Sequence, residues 1–125
     1  MSNIEWTRYS PIFQAHEFEC RCGCGRLKIG PDLIELLYEA RLTAGIPFVI
    51  TSGYRCPAHN GHVGGVSGSA HTLGKAADIR ANSMVARMKI LDALLRVGFP
   101  RVGIAREFLH CDVDWEKPLG VYLYA

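Results

Sequence analysis

Arg101-Val102-Gly103-Ile104-Ala105-Arg106-Glu107-Phe108-Leu109-His110-Cys111-Asp112-Val113, followed by Gly120-Val121-Tyr122-Leu123-Tyr124, decides the fold class. The pattern predicts three strands, 101–105, 107–113 and 120–124, with connections too short for crossover helices, so their pairing is expected to be mostly antiparallel. Two helices are predicted upstream. Pro31 suits a first helical position, Leu33, Ile34, Leu36, Leu37, Ala40 and Leu42 recur at a helical period, and Gly45 ends the run. Ser83 caps the second helix, which carries Met84, Val85, Met88, Leu91, Leu94 and Leu95 and stops at Gly98. Between the helices, 46–51 and 75–80 read as strands, and a loop rich in Gly, Ser and His spans 52–70. The expected class is α+β, a small and mostly antiparallel sheet packed against two main helices.

A chain of 125 residues is one domain's worth, and about two-thirds of its unfolded surface can be buried without staples. A single domain over residues 1–125 is therefore expected, and a monomer. With 49% hydrophobic and 21% charged residues the composition is that of an ordinary globular protein, which excludes a disordered or low-complexity scaffold. The formal charge of +2 is far from the concentrated positive charge of a phosphate-backbone binder, so no nucleic-acid partner is expected. The first residues lack a basic segment leading into an apolar run, and no uncharged apolar stretch approaches the roughly 18 residues that span a bilayer. Synthesis as a soluble cytoplasmic chain without a signal peptide or membrane insertion is the expectation.

Three residues carry the chemistry. Asp78 lies inside an otherwise apolar strand, where a carboxylate is costly unless paired or coordinating a cation. His71 precedes it by seven residues, and His110 sits in the apolar setting Phe108-Leu109-His110-Cys111. Two imidazoles and one carboxylate suit Zn²⁺ and leave a fourth position open, the arrangement of a catalytic site. Such a metal acidifies water and polarises a scissile carbonyl while a nearby carboxylate moves the proton. Asp112, two residues past His110, points to the same strand face and is a candidate to orient that imidazole.

Taken together, Ser69-Ala70-His71-Thr72-Leu73-Gly74-Lys75-Ala76-Ala77-Asp78 and Glu107-Phe108-Leu109-His110, leading into His110-Cys111-Asp112, resemble the zinc D-alanyl-D-alanine carboxypeptidase and dipeptidase family, peptidase family M15 of the subfamily A type. Its fold is shared with the hedgehog signalling domain. Thr51-Ser52-Gly53-Tyr54-Arg55-Cys56-Pro57, with Asn60 beyond, looks like the segment that this family places before its first zinc ligand. The resemblance runs from about Phe18 to Val113. It implies His71, Asp78 and His110 as zinc ligands, Glu107 as the general base and acid, and Arg55 facing the substrate carbonyl or carboxylate. A regular strand puts Glu107 and His110 on opposite faces, so that role requires a turn or bulge near Glu107. Ser69 is a candidate for hydrogen bonding near the metal or substrate, or a turn serine that satisfies local backbone.

The resemblance implies a zinc-dependent peptidase that hydrolyses bonds next to D-amino acids in bacterial peptidoglycan stem peptides, and suggests a phage or prophage lysis enzyme acting on the cell wall after lysis or from a virion. The alternative is a non-catalytic zinc-containing module that binds a peptide or protein. Cys20, Cys22, Cys24 and Cys56 read as a disulfide of one of the first three with Cys56, with a tetrathiolate zinc as the alternative, because the one-residue gaps lack the usual knuckle spacing. Cys111 is expected in the core as a small hydrophobe. His59 and His62 read as loop histidines, and Trp6, Trp115 and the tyrosines as core residues or lining of a substrate groove.

Overall fold

Local signals set the two long helices in the computed structural model, which describes residues 4–124. Helix α1 (Pro31–Ala44) starts on Pro31 and ends where Gly45 turns left-handed. Helix α3 (Met84–Val97) begins on the Ser83 hydroxyl, which accepts from the Ala86 N–H at 3.1 Å, and ends at left-handed Gly98. Strand β1 (Ile50–Ser52) and strand β2 (Ala76–Arg80) lie between them, followed after α3 by β3 (Arg101–Ile104), β4 (Phe108–Asp112) and β5 (Gly120–Leu123).

The strands form one five-stranded sheet in the order β1-β2-β4-β3-β5. The class is α+β, as expected, and three of the four pairings are antiparallel. The exception is β5, which runs parallel to β3. Strand β4 has β2 on one side and β3 on the other, so the chain after β4 can join the sheet only at an edge, and it does so at β3's. Two further differences concern the segment before β2. The strand expected over 46–51 is only three residues long. The expected loop over 52–70 contains a short helix, α2 (Pro57–His62), with Cys56 at its N-cap.

Alternation divides the sheet into two chemistries. Ala77, Ile79, Leu109, Cys111 and Val102 are buried in one apolar cluster with Phe13, Phe18, Leu33, Leu37, Ile90 and Leu94. Helix α1 packs chiefly on α3, and α3 on β4. Cys111 has the core position expected of it, and burial pushes its thiol pKa up. The other face carries the polar residues. Among the described residues no helix is long and apolar enough to cross a membrane.

Gly74 joins the loop that bears His71 to β2, at φ 72°, and a Cβ there would lie 2.4 Å from the Lys28 carbonyl oxygen. Both the backbone angle and the close approach demand glycine. Gly74→Ala should lower stability by at least about 2 kcal/mol. Gly45→Ala, at a similar φ but with open space around the Cβ, should cost about 1 kcal/mol. Urea denaturation of the two variants checks the difference.

Candidate metal centre and its pocket

The register of the sheet assembles the centre. Asp78 is paired with His110, His110 with Gly103, and Gly103 with Tyr122, so these four residues form a row across β2, β4, β3 and β5. A neighbouring row places Ala76, Asp112 and Arg101 side by side. His71 arrives from outside the sheet, on the 3-10 turn Ala70–Leu73 that Ser69 caps by accepting from the His71 N–H at 3.3 Å. That hydrogen bond gives Ser69 the turn role, and its buried side chain also lies in the pocket wall.

His71, Asp78 and His110 are all buried, and their ligand atoms lie within 4.8 Å of one another. The protons show what the centre needs. His71 Nδ1 lies 2.7 Å from the Gly53 carbonyl, which can only accept, so Nδ1 carries the hydrogen and Nε2 presents a lone pair. Among the described residues that Nε2 is the buried side-chain nitrogen or oxygen without a hydrogen-bond partner. It faces Asp78 Oδ1 at 3.3 Å, an acceptor against an acceptor. His110 donates from Nε2 to Asp112 Oδ2 at 2.6 Å and turns Nδ1 toward the same Asp78 oxygen at 2.9 Å. Two imidazole lone pairs converging on one carboxylate oxygen are repulsive unless a proton or a cation lies among them. The donor set fits a divalent metal of the zinc type.

Asp112 holds the position expected of the orienting carboxylate. It binds His110 with one oxygen, accepts from the Asp114 N–H at 3.0 Å, and receives Arg101 Nε on both oxygens at 3.0 and 3.1 Å. Burial pushes its pKa up, but the hydrogen bonds from His110 and the Asp114 backbone outweigh that and lower it. Asp78 follows the same balance in the metal-free chain when the imidazoles carry the extra proton: burial raises it, while hydrogen bonds from the protonated His110 and His71 rings bring it down to about 2. Burial opposes charge on His110, yet its hydrogen bonds to Asp112 and Asp78 raise its pKa above the ordinary value.

A cleft of about 490 Å³ opens over the centre. Arg55 lies in its wall, held loosely by Ser52 Oγ at 3.2 Å, Asn60 Oδ1 at 3.3 Å and Asp78 Oδ2 at 3.5 Å. Glu107 is not brought to the cleft. It is exposed in the bend between β3 and β4, and its carbonyl accepts from the Ala81 N–H. The bulge that its expected role required does not form: β4 is regular from Phe108 onward, and Phe108, His110 and Asp112 face the cleft. His59 and His62 lie on α2, outside the lining. Trp6 packs against Phe18, and Trp115 is exposed away from the centre.

Arg101 is a site residue that the sequence reading did not single out, and among the tyrosines it is Tyr122 and Tyr124 that line the cleft. The tyrosine rings lie 6.0 and 6.4 Å from the His110 ring. Gly103 makes room for them, since a Cβ there would stand 2.6 Å from Tyr122 and 2.7 Å from Tyr124. Burial pushes both phenols' pKa up, so they stay protonated donors at neutral pH. Period-two alternation puts Tyr122 and Tyr124 on one face, but only the parallel pairing with β3 brings that face to His110.

Two imidazoles and a carboxylate at the floor of an open cleft suit a metal centre that keeps a coordination position free for a ligand. A model of the Peptidase M15 family matches residues 11–112, and the chain belongs to that family of metallopeptidases. Comparison with curated proteins gives no match.

The metal-free protein should show two opposite pH trends. Asp78, lowered to about 2, contributes stability that is present above its unfolded pKa and lost as pH falls through the folded value, on the order of 2 kcal/mol. His110, raised, contributes stability that is present below its unfolded pKa and lost as pH climbs through its folded one. Melting of the metal-free chain should therefore peak between about pH 4 and 6.5. Affinity for a divalent metal should rise above that window, with proton release on binding, as calorimetry in buffers of different ionisation enthalpy would show.

Proposed function

We propose that this protein is a zinc-dependent peptidase that hydrolyses bonds next to D-amino acids in bacterial peptidoglycan stem peptides. The unpartnered Nε2 of His71, aimed with His110 Nδ1 at one Asp78 oxygen, carries the reading. His71, Asp78 and His110 would hold the ion, which when bound supplies Lewis acidity toward a carbonyl and acidifies water. Asp112 keeps the hydrogen on His110 Nε2, so that Nδ1 is the free donor atom. Arg55 has three long contacts and can turn its fork to a peptide carboxylate or carbonyl. The Tyr122 and Tyr124 hydroxyls stand on the opposite side as donors to the substrate backbone. We place the enzyme's action at the cell wall, reached after lysis or from a virion.

The position of Glu107 bears on the rival reading. A docking site needs no base beside the metal, and with Glu107 outside the cleft the carboxylates there, Asp78 and Asp112, are both already paired. Digestion of purified peptidoglycan, with mass spectrometry of the released fragments, separates the two. Chelator-sensitive cleavage of stem peptides is expected, and its failure while peptides still bind intact would establish the module instead.

Variants divide the roles. His71→Ala and Asp78→Ala should lose both metal and cleavage. Arg55→Ala should retain metal and lower kcat/KM by roughly 10- to 100-fold, the worth of one charge-assisted hydrogen bond. Loss of a general base costs roughly 10² to 10⁴ in rate, so Glu107→Gln should stay within about tenfold of wild type. A larger loss with metal retained would return the proton transfers to Glu107.

A further inference from the structure

The structure gathers Cys20, Cys22, Cys24 and Cys56 at a place remote in sequence from His71, Asp78 and His110, with all four Sγ atoms within 4.8 Å of one another. We propose that these four cysteines bind a second, structural zinc ion that fastens the N-terminal segment to the loop bearing Arg55.

The sulfur spacing is that of a shared ion. A tetrahedral metal with bonds of about 2.3 Å to sulfur holds its ligands about 3.8 Å apart. Cys20 and Cys22 Sγ are 3.5 Å apart, and Cys22 and Cys56 Sγ 3.8 Å. A disulfide needs about 2.05 Å, far shorter than either separation. The disulfide favoured by the sequence reading would use one of Cys20, Cys22 and Cys24 and leave the other two beside it; one ion uses all four.

The backbone prepares the site as a metal knuckle does. The Cys20 N–H donates to the Arg26 carbonyl at 3.0 Å and closes the loop that carries Cys22 and Cys24. The Cys56 N–H donates to Cys20 Sγ at 3.3 Å, and the His59 N–H to Cys56 Sγ at 3.4 Å. Amide donors to ligand sulfurs stabilise thiolates and fix their direction. Two of the four thiols are buried and two exposed, so an ion has a route in. Four thiolates around Zn²⁺ leave a net negative site, and the Arg26 guanidinium beside Cys24 offsets it. The one-residue gaps that weigh against a knuckle in the sequence are no obstacle in space, because the fourth ligand comes from 32 residues further on (Cys24 to Cys56).

The connection matters for the cleft. Cys56 directly follows Arg55, and the Arg55 N–H donates to the His71 carbonyl at 3.2 Å. A zinc here would brace the loop that presents Arg55 and closes on His71. It would also close a long chain loop, which stabilises the fold chiefly by restricting the unfolded chain.

The test is zinc content by elemental analysis of protein purified under reducing conditions, together with Co²⁺ substitution. Wild type should hold two zinc per chain. Cys22→Ser with Cys24→Ser, both at exposed positions, should hold one, and His71→Ala with Asp78→Ala should hold the other. Co²⁺ in the second variant should show intense thiolate-to-metal charge transfer. The cysteine variant should melt lower than wild type by several degrees, and chelator should abolish that difference. One zinc in wild type that survives in the cysteine variant would overturn the proposal. So would a disulfide among these cysteines in non-reducing peptide mapping of protein purified without reductant and thiol-blocked at lysis, or iron in place of zinc. Because the count is separate for the two variants, failure here leaves the metal at His71 standing or falling by itself.

Discussion

Asp78 facing His110 across the β2–β4 ladder, 2.9 Å from carboxylate to ring nitrogen, is the contact on which the rest of the site depends. A buried carboxylate is tolerable only with partners, and the strand register provides one imidazole while the 3-10 turn at Ala70–Leu73 provides the other. The same register that brings these groups together sends Ile79, Leu109 and Cys111 into the core. A slip of one residue would bury the polar set and expose the apolar one. Hydrophobic burial on one face thus enforces the geometry on the other.

Behind the centre, the polar groups are tied to one another before any substrate arrives. Asp112 is bound by His110, Arg101 and the Asp114 backbone, and Arg101 also donates to the Pro118 carbonyl. These ties hold the His110 ring in one orientation and cost little at the moment of binding, because they are already made. Arg55 is the exception, with longer contacts and a place in the cleft wall. The division matches what a peptide site requires: a rigid floor for an ion and a more adaptable charge for the ligand.

A chain of backbone bonds links that charge to the rest of the molecule. The Tyr54 N–H donates to the Phe18 carbonyl, the Arg55 N–H to His71, and the Cys56 N–H to Cys20 Sγ. Phe18 is fully buried in the main core, whereas Cys20, Tyr54 and Cys56 form a small cluster of their own. The loop that presents Arg55 is therefore held at three consecutive residues, by the core, by the turn that bears His71 and by the cysteine group.

What was legible in the sequence was what depends on near neighbours. Pro31, Gly45, Ser83 and Gly98 mark helix ends because caps are local, and they hold in the structure. Asp78 stands out because a carboxylate in an apolar strand demands a partner, His110 because of its apolar setting, His71 through the motif it shares with them, and Asp112 because alternation places it on His110's face. Glu107 shows the limit of motif spacing: the same alternation turns it away from the cleft once no bulge intervenes. Helix α2 was hidden by a composition of Gly, His and Asn that favours loops, and it forms on the cap that Cys56 provides. The partnership of β5 with β3, the approach of Tyr122 and Tyr124 to His110, and the meeting of Cys56 with Cys20 were decided by tertiary structure alone. Each joins segments far apart in sequence, and which edge or loop they meet follows from how the whole chain covers its core, which no local pattern records.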